Sequence, residues 1–223
     1  MSSILIGIPT IREDKNFWDS MRVFLPAMNK IYDIEIVEVR NKQIAYARNL
    51  IVEMFLQSDK DYLLFLDDDH SGHTIEMVEA LFKPGVLVCA IKCYARFFPH
   101  FCTLGDYSGL NHPRGRYQFK DLKSGYERCD LVGFGMTLID KQVFSKLSIP
   151  CFAWWPDKAE DNYFCEQLLA NDVRPMGCFD YVLTHNGVDD SNLEGLRNRG
   201  LDAVITDIKT RGPYNNERIL IVV

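Results

Sequence analysis

The sequence predicts an α/β fold with a mostly parallel central sheet flanked by helices. Three observations carry the prediction. Short aliphatic runs, Ile4–Ile8, Tyr62–Leu66 and Val86–Tyr94, alternate with stretches of helical periodicity. Runs this apolar suit strands covered on both faces, as parallel strands are. The connections between them are short, so the elements pack as successive strand–helix–strand units. Ligands of such sheets bind beyond the carboxyl ends of the strands, and Asp67, Asp68 and Asp69 follow one such end.

Taken in order, Ile4–Ile8 is a buried first strand, ended by Pro9. From Asp14 to Lys30, Phe17, Met21, Phe24, Leu25 and Met28 recur at helical spacing, with Pro26 as a break or kink. Ile34–Val39 alternates like a half-buried strand. Gln43 to Gln57 places Ile44, Ala47, Leu50, Ile51, Met54 and Phe55 on a helix. Tyr62–Leu66 is a buried strand. Thr74 is a suitable N-cap for a helix through Leu81, and Pro84-Gly85 turns the chain into Val86–Tyr94. Residues 95–128, rich in Gly, Pro, Tyr and Phe, predict loops or short antiparallel strands. Leu131–Ile139 then reads as a strand interrupted by Gly133 and Gly135, and Lys141–Lys146 as a helix. Asn162 to Ala170 is a further helix, Cys178–Leu183 a strand leading to His185, and Ile219–Val223 a last strand-like run.

Composition narrows the class. The 223 residues are about one and a half times a typical domain of ~150, which predicts one large domain. Lys plus Arg (25) less Asp plus Glu (31) gives −6, an unusual balance for a protein that binds nucleic acid over its whole surface. A local basic groove is compatible with it. Fourteen Phe and ten Tyr exclude a disordered chain. No apolar run approaches the ~20 residues of a membrane-spanning helix, and Met1 to Thr10 lacks the basic start of a secretory signal. The seven cysteines contain no C-x-x-C pair and sit among apolar residues, which predicts reduced core thiols in a cytoplasmic protein.

The chemistry concentrates in three places. Asp67, Asp68 and Asp69 repel one another, and a hard divalent cation compensates such charge through oxygen ligands. Acids capping the next helix are the plainer explanation. Asp67-x-Asp69 puts two carboxylates on one side of an extended chain, fitting a metal and a sugar hydroxyl. His70 and His73 are candidates to extend the site, although polar surface is the commoner role. Glu160-Asp161 opens an apolar helix, where acids serve the helix dipole or, if buried beside a hydroxyl, general-base chemistry. His185, ending a strand, is either a satisfied hydrogen-bonding residue or a metal ligand.

In this order the residues resemble a GT-A fold glycosyltransferase, with a Rossmann-like core and a small acceptor-side region, most like the family 2 nucleotide-sugar-dependent group. Ile6-Gly7-Ile8-Pro9-Thr10 resembles the opening nucleotide-binding strand, and Ala47-Arg48-Asn49 the Ala-Arg-Asn of the helix before the acidic strand. Phe65-Leu66-Asp67-Asp68-Asp69 is similar to the D-x-D motif, and Val132–Ile139 to the glycine-bearing strand beside the donor sugar. Glu160–Cys165 resembles the Glu-Asp helix start and His185-Asn186-Gly187 the late metal-binding histidine. The resemblance runs from Ile4 to Gly187. It implies a catalytic domain over 1–187, with a nucleotide-binding half (1–94) and an acceptor-side half (95–187), and a lid or tail over 188–223.

The resemblance also implies roles. Asp69, His185 and Asp67 would hold Mn²⁺ or Mg²⁺ against the donor diphosphate, Asp67 alternatively taking the ribose, with Asp68 beside them. Arg48 would contact the nucleotide or its phosphates, a salt-bridged arginine being the alternative. Pro9 and Thr10 would touch the base or ribose, and Gly133 and Gly135 would let the chain pass close to the sugar. Asp161 would take the acceptor proton in an inverting transfer, with Glu160 as second choice. Trp154 or Trp155 would stack on a sugar or serve as packing. The base-reading Asp expected after the second strand is replaced by Val39-Arg40-Asn41. Two rival readings remain at this point: a metal-dependent hydrolase or nucleotidyltransferase using Asp67, Asp69, His70, His73 and His185, and a non-catalytic nucleotide-sugar-binding module. The acceptor is open. Five basic residues, Arg96, Arg114, Arg116, Lys120 and Lys123, suit either a phosphate-bearing acceptor or a solvated loop.

Overall fold

Ile4, Leu5, Ile6 and Ile8 are fully buried, and they form the strand from which the sheet grows. The computed structural model describes residues 2–11, 14–94, 102–108, 116–120, 122–154 and 159–186. Trp155, Gly187, Arg96, Arg114, the 188–223 segment and the strand expected at 219–223 lie outside the described residues.

In chain order the elements are β1 (Ser3–Thr10), α1 (Lys15–Ile31), β2 (Asp33–Arg40), α2 (Ile44–Gln57), β3 (Tyr62–Leu66), β4 (His70–Ser71), α3 (Ile75–Leu81) and β5 (Val88–Cys93). There follow β6 (Gly105–Ser108), β7 (Arg116–Phe119), β8 (Tyr126–Arg128), β9 (Met136–Asp140), a 3-10 turn at Lys141–Ser145, α4 (Glu160–Ala170) and β10 (Met176–His185). The eight-stranded sheet has the order β2-β1-β3-β9-β5-β10-β4, with β8 also against β10. β2, β1, β3, β5 and β10 run the same way, whereas β9, β4 and β8 run against them. The sheet is therefore mostly parallel. β6 and β7 form a separate antiparallel pair within the segment read as loops or short strands.

Period-two burial sorts the side chains into two cores. Ile4, Ile6, Ile8, Leu64 and Leu66 pack under α1 (Phe17, Met21, Phe24, Met28) and α3 (Met77, Val78, Leu81). Leu5, Leu63 and Phe65 pack under α2 (Ile51, Val52, Phe55) and α4 (Phe164, Cys165, Leu168). All seven cysteines are buried, and none forms a disulfide. No helix among the described residues is long and apolar enough to cross a membrane.

Four local expectations are corrected. Pro9 does not end β1: it pairs with Val39 of β2, while the ladder to β3 stops at Gly7, so no hydrogen bond is lost on that side. Pro26 does not break α1, because it and Arg22, whose carbonyl loses its partner, are both on the exposed face. Leu131–Ile139 is strand only from Met136, since residues 131–135 bend around Thr103 and His70 instead of extending the ladder. The Lys141–Lys146 helix is a 3-10 turn that ends at Ser145.

One edge of the sheet collects the chemistry. β1, β3, β5 and β10 deliver Thr10, Asp67–Asp69, Tyr94 and His185 there because they run the same way, and antiparallel β9 begins there with Gly133–Gly135 just before it.

Candidate active site and metal centre

The two-residue strand β4 places His70 opposite His185 of β10. Their rings stack at 4.2 Å between centroids, 20° from parallel. The Asp69 carboxylate reaches both rings, with Oδ1 2.8 Å from His70 Nδ1 and Oδ2 3.0 Å from His185 Nε2. His185 Nδ1 is 2.8 Å from the Tyr94 carbonyl. Both ring nitrogens of His185 therefore face oxygens that only accept, the Tyr94 carbonyl at Nδ1 and the Asp69 carboxylate at Nε2, and Nε2 is the one turned toward the cluster. His70 is 4% exposed, yet neither ring nitrogen makes an aligned hydrogen bond among the described residues. Burial disfavours the charged His70 ring, but Asp69 and Cys93 outweigh it and raise its pKa to about 10. Burial likewise works against the Asp69 carboxylate, and His185 and His70 overcome it, holding that pKa well below the usual carboxylate range.

One carboxylate oxygen and two imidazole nitrogens thus lie within 4.8 Å of one another. This donor set, with two imidazole nitrogens beside one carboxylate, fits a divalent transition metal better than Mg²⁺, which prefers oxygen. Asp67 lies outside this cluster, and His70, named at first only as an extension, lies inside it. Its position directly after the third Asp was the available signal.

The other two acids are held elsewhere. Asp68 Oδ2 accepts the Ile11 N–H at 3.0 Å, joining the acidic loop to the end of β1. Asp67 accepts two hydrogen bonds from Arg48 Nη2, at 2.8 and 3.0 Å. Arg48 Nη1 donates to Glu160 Oε1. The guanidinium lies 4.6 Å from the Phe134 ring centroid and is nearly inaccessible. Arg48 is therefore spent on a double salt bridge between the loop after β3 and the first turn of α4.

Asp161 follows Glu160 in that turn. α4 has no side-chain N-cap, and Asp161 Oδ1 accepts the Asn162 N–H at 2.8 Å. Burial and the Glu160 charge raise the Asp161 pKa to about 7, with Arg48 opposing them. A carboxylate with this pKa is suited to accept a proton near neutrality.

Asn186 braces the centre. Its N–H donates to the Asp69 carbonyl at 2.7 Å, its Nδ2 to Asp14 Oδ1 at 2.8 Å, and its Oδ1 accepts from Ser71 Oγ at 2.6 Å. Thr10 Oγ1 donates to Glu38 Oε1 at 2.8 Å, which brings Glu38 of β2, missed in the sequence, beside the end of β1. The glycines are close to protein atoms: a Cβ on Gly133 would meet Thr103 at 2.7 Å, and one on Gly135 would meet His70 Nε2 at 2.8 Å. Trp154 is 53% exposed.

No family model and no curated protein matches the chain. Solved structures do. The protein A197 from STIV aligns with 84% of this chain and 87% of its own at a TM-score of 0.60 and 22% identity. GalNAc-T7, solved with UDP, GalNAc and Mn²⁺, aligns with 83% of this chain at a TM-score of 0.50 and 11% identity. The fold is GT-A-like. The chain spans 43% of the GalNAc-T7 chain, so less than half of that protein has a counterpart here.

Two outcomes follow from the packing of this GT-A-like edge. In Gly135→Ala the new methyl displaces His70, and overpacking of this kind costs about 1–3 kcal/mol in urea denaturation. His73 lies away from the metal cluster, with Nδ1 3.4 Å from Ser20 Oγ and its ring against Phe17 and Phe24. Burial, then the His70 charge, lowers its pKa to about 3 from 6.5. The unfolded chain therefore binds the extra proton between these values, and stability falls on acidification through that window by up to about 1.4 kcal/mol per pH unit. His73→Leu is expected to flatten the fall of Tm between pH 6 and about 4.

Proposed function

We propose that this protein is a metal-dependent glycosyltransferase, most like the inverting family 2 group, that moves a sugar from a nucleotide-diphospho-sugar to an acceptor hydroxyl. The carrying observation is the convergence on one sheet edge of the Asp69–His70–His185 cluster with Asp161, joined through Asp67, Arg48 and Glu160. The Mn²⁺ and UDP in the GalNAc-T7 structure support the choice of metal and donor class. Asp69, His70 and His185 hold the ion, which supplies Lewis-acid stabilisation of the departing nucleotide diphosphate. Asp161 accepts the proton of the acceptor hydroxyl as its oxygen bonds to the anomeric carbon on the face opposite the leaving group. Pro9 and Thr10 at the end of β1 line the nucleotide, and Asp68 fixes that end against the acidic loop. Residues 1–94 form the nucleotide half and 95–187 the acceptor half, and the protein works in the cytoplasm.

A thermal-shift screen of nucleotide sugars with and without Mn²⁺, followed by assay of nucleotide-diphosphate release, tests this reading. A stabilising donor that needs Mn²⁺ and is turned over in the presence of acceptor supports transfer. Binding without release identifies a sugar-nucleotide-binding module instead, and pyrophosphate release identifies a nucleotidyltransferase.

A further inference from the structure

Two carboxylates, Asp67 and Glu160, pair with one buried guanidinium, and Asp161 follows Glu160 in the first turn of α4. The arrangement is a poor stabiliser. Buried ion pairs seldom outperform apolar packing, and Arg48 Nε has no hydrogen-bond partner among the described residues, which itself carries a desolvation cost. What the arrangement does is geometric and electrostatic. It ties the loop that leads to Asp69 to the helix start that bears Asp161, and it places positive charge near the carboxyl group that must be ionised to act as a base.

We propose that Arg48 is a positioning residue for the transfer step: it clamps Asp67 to Glu160 and thereby orients Asp161 at the start of α4. The proposal rests on the reading of Asp161 as the base. The charged and titratable groups that act on Asp161 are Glu160 and Cys165 of α4, Arg48 of α2 and Asp67 of the loop after β3, while Tyr107 of β6 donates to the adjacent Asn162 carbonyl. Burial and the two neighbouring acids favour the protonated form, and Arg48 is the opposing charge. An arginine committed to the donor phosphates would leave this balance untouched.

Two variants of the full-length protein separate the roles, because they move Asp161 in opposite directions. Arg48→Met removes the opposing cation, and the titration midpoint of Asp161 is expected to rise by about 1–3 pH units. Glu160→Gln removes a like charge, and the midpoint is expected to fall. The midpoint is read by carbon-13 NMR of labelled aspartate carboxyls, with the Asp161 signal assigned by its loss in Asp161→Asn. In turnover, the acid limb of kcat/KM should follow, so that Arg48→Met is about fivefold or more slower at pH 7 and recovers at higher pH. Should Arg48→Met fail to fold, Arg48→Lys, which keeps the charge, must hold the wild-type midpoint while Glu160→Gln lowers it. Unmoved midpoints, or a raised donor KM with an unmoved acid limb, overturn the proposal. A wild-type protein that turns over no sugar nucleotide overturns the transferase reading instead, while the NMR midpoints still decide the clamp.

Discussion

Asp161→Asn is expected to lower transfer by about 10²–10⁴-fold, the usual contribution of a positioned general base. The amide has the same shape as the carboxylate, and its oxygen still accepts the Asn162 N–H that Asp161 Oδ1 accepts now. The helix start therefore survives, and removing a half-buried charge beside Glu160 relieves repulsion. The loss should appear in kcat with donor KM little changed, since nothing ties Asp161 to the donor side directly. For the wild type, the folded pKa of about 7 means that the accepting form grows as pH rises through neutrality. Activity is expected to climb over pH 6–8, and the residual rate of Asp161→Asn to be flat there. Glu160 is a weaker candidate for the base because Arg48 occupies it. Near-normal transfer by Asp161→Asn would remove the base assignment and with it the case for inversion.

The fold was legible where burial wrote it into the sequence. Strands covered on both faces are continuous apolar runs, and Tyr62–Leu66 is such a run from end to end. Strand direction was not legible, because antiparallel β9 is as apolar between β3 and β5 as a parallel strand would be. β4 has only two residues and leaves no periodic signal, although it sets His70 against His185. In the site, three adjacent carboxylates announced themselves by unbalanced charge. Their division of labour did not. Whether a given Asp faces Arg48, Ile11 or the histidines depends on the turn after Leu66, and the partners come from residues 48, 11 and 185, remote in the chain. The glycines show the same limit: close approach was readable at Gly135, but the neighbour that needs the space, His70, was not.

The second large effect belongs to Asp69. Its carboxylate is the one acidic member of the metal cluster among the described residues, and it spans both rings. Even partners that only orient a metal ligand are worth about 10–100-fold in affinity. Asp69→Ala is therefore expected to weaken Mn²⁺ binding by at least about 100-fold and to abolish metal-dependent release of nucleotide diphosphate. A structural defect must be told apart from a lost ligand, and pH does this. His70 has a folded pKa of about 10 against 6.5 when unfolded, so its pairing with Asp69 stabilises fully below pH 6.5 and is lost as pH rises through 10. The metal-free deficit of Asp69→Ala should accordingly be largest in mild acid and shrink in alkali, where the wild type has lost the same contribution. The missing Mn²⁺ response should persist at every pH at which the wild type binds the ion. Asp68→Asn is the control: its oxygen meets Ile11 N–H, outside the cluster, so the Mn²⁺-induced rise in Tm should remain. Equal Mn²⁺ responses in Asp69→Ala and the wild type would place the ion elsewhere and leave the Asp69–histidine cluster a purely structural ion pair.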